Sequence, residues 1–588
     1  MADVFFVPES MVVKAVRIFI VSIVIAVLTT GCVDKSDGPA STKFADTVLT
    51  NGKVYTLNDQ QPTAEALAIV NGEISAVGAS ESIKALTGEK TTTIDLDGQV
   101  VMPGLFDLHV HPVFAGIQAS RCVIPQGASL TAIKANVKAC VGAAEEGAWI
   151  TGGQWDSSAI GQVPTREMLD PVSPDNPVFL GDTSEHSFWA NSRALEIAGI
   201  TADTPNPPDG ILERDADGKP TGVLRESAAL LVRQHIPEES DKQVRAALKW
   251  ALDKMLSYGI TSFAEAYAGY STNPQKELNA YTALADSGDL KQRVRLCLPW
   301  SPDDPQFDAI IERHEEYNRE RLIADCVKIG LDGVPTDSHT AAMLEPYAGI
   351  VEGRDDEASR YGLTSIEQSV LDAAVSRFDA MGLTVKFHSA GDAAVRSGLD
   401  AIEAARKANG SNDQKHNVGH CTFVAAKDMA RGIELAATFE VSPYLWSPSP
   451  ISDSIASAVG PELVKVVWPI RDLLASGSLV VAGSDWSVVP SVNPWIGIET
   501  MVTREIPGGG DRTFGKEQAV SLDEALPLFT VNSARQMGME GRLGRLAPGY
   551  LADLIVLDRD PYEIPVTELH RVTVKRTMIN GEFVYEKE

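Results

Sequence analysis

The chain has 588 residues, 44% of them hydrophobic and 22% charged, enough apolar material for more than one packed core; a disordered or fibrous protein is excluded. Its formal net charge of −29 repels phosphate backbones and anionic lipid over most of the surface, which excludes nucleic acid as a partner. The six cysteines show no Cys-x-x-Cys spacing, which argues against a zinc ribbon or a thioredoxin-like site.

Lys14 and Arg17 precede the apolar run Ile18–Leu28, and Thr29-Thr30-Gly31-Cys32 follows it at once. That is the order of a secretory signal. The terminal cysteine resembles a bacterial lipobox, in which it becomes the lipidated first residue of the mature chain. Residues 1–32 are therefore expected to form a lipoprotein-type signal peptide with Cys32 as the lipidation site, and 33–45 a Ser/Gly/Pro-rich tether. An uncleaved N-terminal anchor is the other reading of the same run, which at eleven residues is short for a span. The expected place is the bacterial cell envelope, with membrane contact only through the lipid. Cys122 and Cys140 are candidates for a disulfide in an exported chain, whereas Cys297, Cys326 and Cys421 read as small apolar side chains buried in strands.

From 46 to 102, β-branched alternation broken by Asn51-Gly52 and Asp97-Gly98 predicts a small antiparallel sheet. Residues 541–588 read the same way, with a turn at Asn580-Gly581, so the two chain ends are expected to complete one small β unit. Between them strands and helices alternate. Strand candidates are Leu105–Val110, Thr261–Ala266, Arg293–Pro299, Val327–Gly333, Thr384–Ser389, Asn417–Thr422, Ala437–Ser442 and Leu479–Asp485. Helices are predicted at Lys242–Leu256, Ser365–Met381, Asp392–Ala408 and Ile470–Ala475. Such alternation argues for an α/β (β/α)8 barrel over 103–490, with reactive residues at strand C-terminal ends. The interval 112–257 is too long for one loop and should hold an inserted subdomain, while 491–540 supplies the final loop and helices.

The chemistry falls at the predicted strand ends. His109 and His111 close the first strand two residues apart, so both imidazoles face the same way and one metal can take both. His388, His420 and Asp485 end the fifth, sixth and eighth strands, and Lys328 lies on the fourth. Imidazoles and a carboxylate suit Zn²⁺ or a similar divalent ion. His235, His314, His416 and His570 read as surface residues.

Pro103-Gly-Leu-Phe-Asp-Leu-His-Val-His, Pro164-Thr-Arg-Glu-Met-Leu-Asp, Asn191-Ser-Arg-Ala-Leu, Thr221-Gly-Val-Leu-Arg-Glu, Val327-Lys-Ile with Asp332-Gly333, His388 with Gly391-Asp392, Gly483-Ser-Asp-Trp and Leu546-Ala-Pro-Gly-Tyr-Leu-Ala-Asp together resemble the amidohydrolase superfamily. In detail the chain resembles the branch that includes the N-substituted formamide deformylases, over about 46–584. The resemblance implies a barrel with one or two metals beside a β-sandwich built from both chain ends. It implies that His109, His111 and Asp485 bind the more buried metal, that Lys328 is a carboxylated bridging lysine, and that His388 and His420 bind a second. An ammonium beside two cations would be repelled, which accords with a carbamate at Lys328, whose alternative is a solvent-facing edge lysine. Trp155, Asp156, His186, Asn191 and Glu226 become candidate pocket residues, although Trp155 and His186 are equally readable as core of the insert. Where many members carry Arg after the Asp-Gly turn, this chain has Ser338-His339-Thr340, and His339 and Tyr347 join the pocket candidates.

The resemblance implies, and these residues fit, a hydrolase of amide-type C–N bonds in small molecules, with Asp485 moving the proton and a divalent metal, zinc by its ligands, as cofactor. Cyclic amides, carbamates and lactones are alternative substrates. A non-catalytic envelope lipoprotein that binds small molecules in its barrel is the alternative of a different class, and the sequence leaves the oligomeric state open.

Overall fold

Val, Ile and Thr dominate the segments that pair at the two chain ends, as their fit to a half-buried pleated surface requires. In the computed structural model, which describes residues 44–588 apart from 126, 183–186, 208–209, 337, 350–356 and 588, Leu554–Leu557 runs antiparallel to Val100–Pro103. The C-terminal strand thereby joins a six-stranded sheet ordered Glu582–Glu586, Val574–Ile579, Leu554–Leu557, Val100–Pro103, Lys53–Tyr55, Thr63–Ala64. A four-stranded sheet, Glu73–Gly78, Ala66–Val70, Thr47–Thr50, Thr92–Asp95, accompanies it. Leu49, Leu67, Ile69, Val101, Leu554, Val556 and Met578 form one core across both sheets, so the two ends make one sandwich as expected. The signal region with Cys32 and all but the last two residues of the 33–45 tether lie outside the described residues. Among the described residues no helix is long and apolar enough to cross a membrane.

The barrel consists of eight parallel strands in sequence order: β1 (Leu105–Val110), β2 (Ile260–Glu265), β3 (Arg293–Trp300), β4 (Leu322–Gly330), β5 (Thr384–Ser389), β6 (Asn417–His420), β7 (Thr438–Val441) and β8 (Leu479–Ala482). Strand β6 stops short of its expected end at His420, where the backbone turns to φ of 68° and, at Cys421, 45°, which extended backbone does not adopt; β8 ends at Ala482, ahead of Asp485 at φ of 61°. The ring closes between β8 and β1 through the segment after β8: Asp485 N–H donates to the His109 carbonyl at 2.6 Å, and His111 N–H to the Trp486 carbonyl at 2.7 Å. This close approach needs Gly483, where a Cβ would lie 2.4 Å from the His109 nitrogen.

The interval 112–257 divides in two. Helices α1 (Pro112–Ser120) and α2 (Asp241–Leu256) pack against the barrel, sharing its core through Val113, Ile117, Leu248 and Leu252. The separately folded part is a six-stranded mixed sheet from Cys122 to Glu226 with its own core of Ile133, Ile150, Trp155, Leu180 and Trp189. At Gly116 the backbones of α1 and α2 nearly touch, because a Cβ there would sit 2.1 Å from the Ala247 carbonyl oxygen. Gly116→Ala should push the helices apart and cost about 1–3 kcal/mol; a thermal midpoint equal to the parent's would show that the contact gives way freely.

Two expectations are corrected. Cys297 and Cys326 are bonded to each other, with Cα atoms 4.3 Å apart, because β3 and β4 pair with these two residues directly opposite. Cys122–Cys140 is a disulfide and Cys421 alone is a free, buried thiol among the described residues. His416 is fully buried: Val385 N–H donates to its Nδ1 at 2.9 Å and its Nε2 pairs with Asp379 at 2.9 Å, satisfying both ring nitrogens inside the wall.

Candidate metal centre

Alternation along β1 turns His109 and His111 to the same side, and closure through Asp485 brings a carboxylate to both. The Nε2 atoms of His109 and His111 lie 3.8 and 3.5 Å from Asp485 Oδ1. Donor atoms of these three buried residues all fall within 4.8 Å of one another, so the trio could hold a metal ion. Lys328, 5% exposed on β4, points inward with Nζ 3.5 Å from His109 Nε2, which excludes the solvent-facing alternative. The imidazole of His420 lies 4.6 Å from that of His109 and 4.3 Å from that of His388, centroid to centroid.

Every one of these imidazoles is anchored through Nδ1. His109 Nδ1 meets Glu440 Oε1, His111 Nδ1 meets Glu265 Oε1 at 3.3 Å, His388 Nδ1 meets Asp332 Oδ1 at 3.1 Å and His420 Nδ1 meets Ser442 Oγ at 3.3 Å. Partners of this kind set tautomer and ring orientation and leave Nε2 as the coordinating nitrogen. Glu440, on β7, also pairs with Lys386 and accepts from Asn417 Nδ2 at 2.8 Å. Asp332 accepts from the Ala390 and Gly391 amides at 2.9 and 2.8 Å, so its orientation is fixed by the loop that follows β5.

Electrostatics follow from this crowding. Burial, reinforced by the Lys386 charge, pushes the Lys328 amine down to about 7, where a large share of it is neutral. Burial and neighbouring cations hold His109 and His420 well below the usual imidazole range. At His111 burial acts the same way, but the carboxylates of Asp485 and Glu265 outweigh it and raise its affinity for a proton. Burial lifts Asp107 to about 7; its Oδ1 accepts from His109 N–H at 3.2 Å and Ser484 N–H at 2.9 Å, tying β1 to the segment after β8. The donor set, imidazole nitrogen with carboxylate oxygen, fits a borderline divalent ion such as Zn²⁺.

The inserted residues are placed less centrally. Trp155 packs in the insert's core and its indole N–H donates to the Leu180 carbonyl at 2.9 Å. Asn191 caps the helix Ser192–Ile197 and its amide nitrogen donates to Ser173 and Asn176 carbonyls, so its side chain is consumed locally. Both act as structural members of the insert, which for Trp155 is the core reading of the two and for Asn191 is a correction to its reading as a pocket residue. Asp156 is half-buried after the strand Ile150–Trp155, Glu226 is exposed at the end of Pro220–Glu226, and His186 lies outside the described residues. His339 and Tyr347 stack at 4.1 Å in the loop after β4, with His339 Nδ1 donating to the Ser359 carbonyl at 2.8 Å and Tyr347 Oη to the Ala341 carbonyl at 2.8 Å. That loop is joined to the centre through Ala342 N–H, which donates to Asp332 at 3.0 Å.

Glu440, Glu265 and Lys386 escaped the sequence reading. Each is an ionisable residue buried on a barrel strand, a position that marks a paired charge in the interior.

The pattern of the amidohydrolase family matches residues 92–585. The chain is 31% identical over 560 residues to Protein LONG AFTER FAR-RED 3 of Arabidopsis thaliana, covering 94% of this chain and 93% of that protein. It is 27% identical over 562 residues to the N-substituted formamide deformylase of Arthrobacter pascens, covering 93% and 99% respectively. An uncharacterised metal-dependent hydrolase of Pyrococcus furiosus superposes with a TM-score of 0.70 at 28% identity, over 88% of this chain and 100% of that one. With a family pattern spanning most of its length and a ligand-ready cluster at the C-terminal ends of its barrel strands, this chain belongs to the amidohydrolase family.

Proposed function

We propose that the protein is a metal-dependent hydrolase of amide-type C–N bonds in small molecules, formamides included, held at the bacterial envelope by lipid on Cys32. The carrying observation is the cluster of His109, His111 and Asp485 beside Lys328, with every Nδ1 of the four imidazoles already engaged. In this reading His109, His111 and Asp485 would hold one ion and His388 and His420 a second, with Lys328, as a carbamate, the bridging residue that would supply oxygen donors to both. A divalent ion bound there supplies Lewis acidity, polarising a carbonyl and acidifying a water.

The chain's own residues do the rest. Asp485 takes the proton of the attacking water and returns it to the departing nitrogen as the C–N bond breaks, so the amine leaves neutral. Glu440, Glu265 and Asp332 keep the imidazoles in one tautomer throughout. The His388 side chain is 26% exposed, against 2% and 4% for His109 and His111, and this reading has the substrate enter on that more open side. The Arthrobacter pascens relative is named for deformylating N-substituted formamides, which supports the C–N reading.

Zinc-loaded protein should turn over members of a panel of formamides, N-acyl amino acids, carbamates and lactones, with formamides or simple amides fastest and activity lost on chelation. Turnover of lactones alone, or of no member, would overturn the reading.

The anchor is tested separately. Cys32→Ala should move the protein from the membrane to a soluble fraction or block its processing, because acyl chains supply nearly all the membrane affinity of so acidic a protein. A variant that stays on membranes after salt and carbonate washes would assign the anchor to the apolar run.

A further inference from the structure

The ring of Tyr270 lies over His111 at a centroid distance of 4.4 Å and 20° between planes, covering one face of a candidate ligand. The residue is nonetheless 48% exposed. Phe114 meets the same ring at 5.1 Å and 60°, and Tyr267 meets it at 6.2 Å and 79°. The three make an aromatic wall at the end of β2, beside the first turn of α1.

The loop that carries this wall is held from beneath. Tyr267 N–H donates to Glu265 Oε1 at 3.2 Å, the same oxygen that meets His111. Gly269 N–H donates to Glu277 Oε2, and Tyr270 N–H donates to the Tyr267 carbonyl at 3.0 Å. Glu277 is fully buried on the helix α3 (Pro274–Ser287). Gly269 has φ of 113°, and a Cβ there would strike Pro274 at 2.6 Å, so the turn tolerates little change. A ring fixed in this way loses little freedom when a flat group stacks on it, which favours binding.

We propose that Tyr270 is a specificity-determining residue that offers its solvent-facing side to a planar, unsaturated substituent of the substrate. The assignment rests on the hydrolase reading above for the location of the reacting bond. It differs from a purely structural role, in which Tyr270 would only shield His111 from water.

The probes are the anions of 2-phenylacetic acid and 2-cyclohexylacetic acid, nearly equal in size and without a C–N bond to cleave, of which only the first has a flat π face. Calorimetric titration of zinc-loaded protein should show the phenyl compound binding about 3–10-fold tighter, the range expected of a ring pair. The ratio should fall close to one in Tyr270→Ala and persist in Tyr270→Phe, with metal content measured for each protein. Equal affinities in the parent protein, no binding of either probe, a ratio that survives Tyr270→Ala, or a ratio lost only in step with lost metal would each overturn the assignment. Because binding is read without turnover, these results stand apart from a failure of amide hydrolysis in the substrate panel.

Discussion

Asp485→Asn is expected to leave the fold unchanged and to lower kcat by about 10²–10⁴-fold, the range that a positioned acid–base group contributes. The amide keeps the shape and size of the carboxylate, so the backbone bond from residue 485 N–H to the His109 carbonyl, which closes the barrel, is retained. What it removes is the basic oxygen 3.5 Å from His111 Nε2 and 3.8 Å from His109 Nε2. No other carboxylate oxygen is described within ion-pair reach of both Nε2 atoms, so the proton of the attacking water loses its acceptor. A residue that is not glycine with φ of 61° is also costly to maintain, and such conformations persist where the surrounding structure imposes them at functional positions. The measurement is kcat together with metal content and circular dichroism. Activity within tenfold of the parent protein, at equal metal content, would remove Asp485 from the proton-transfer role.

The second large effect concerns Lys328. Its amine is buried, lies 3.5 Å from His109 Nε2 and is pushed down to about 7, against an ordinary lysine near 10.4. A neutral amine can add to CO₂, forming the N–C bond of a carbamate and releasing a proton, whereas the ammonium cannot. The product brings two oxygen donors and a negative charge to a place where an ammonium would repel a cation. Chelated protein should therefore regain activity faster with zinc plus bicarbonate than with zinc alone. Lys328→Ala should lower the metal content from about two ions per chain towards one or none, with activity partly restored by a short carboxylic acid that supplies the missing bridge. One ion per chain in active parent protein, unchanged by Lys328→Ala, would establish a mononuclear site and a different role for the lysine.

Much of the centre is legible because its residues sit at places where local rules are strict. His109 and His111 share a side because successive residues of a strand alternate, and that follows from spacing alone. Asp485 was recognisable in Gly483-Ser-Asp-Trp at the end of an apolar run, and Lys328 as a lysine inside an apolar strand. The three carboxylates that orient the imidazoles were readable only in part. Asp332 stands in the Asp332-Gly333 turn, but nothing nearby in the chain pairs Glu440 with a residue 331 positions away. The readings of Asn191 as a pocket residue and of His416 as a surface residue failed for a related cause. Imidazole and amide groups satisfy their hydrogen bonds wherever a complementary donor or acceptor lies, and these partners come from other parts of the chain.

By itself the sequence determined the alternation of strands and helices, the pairing of the two β-rich ends, and the kind of chemistry that histidine and carboxylate at strand ends can support. Which donors meet depends on how distant strands pack. Closure of β8 onto β1 sets Asp485 against both histidines, and the register of β3 on β4 sets Cys297 against Cys326. The physical reason is that side-chain periodicity is local, fixed by backbone sterics within a few residues, whereas register and ring closure come from packing of the whole barrel. The packing that sets Tyr270 over His111 belongs to the same class, since it depends on Glu277 and Glu265 meeting one loop from two elements.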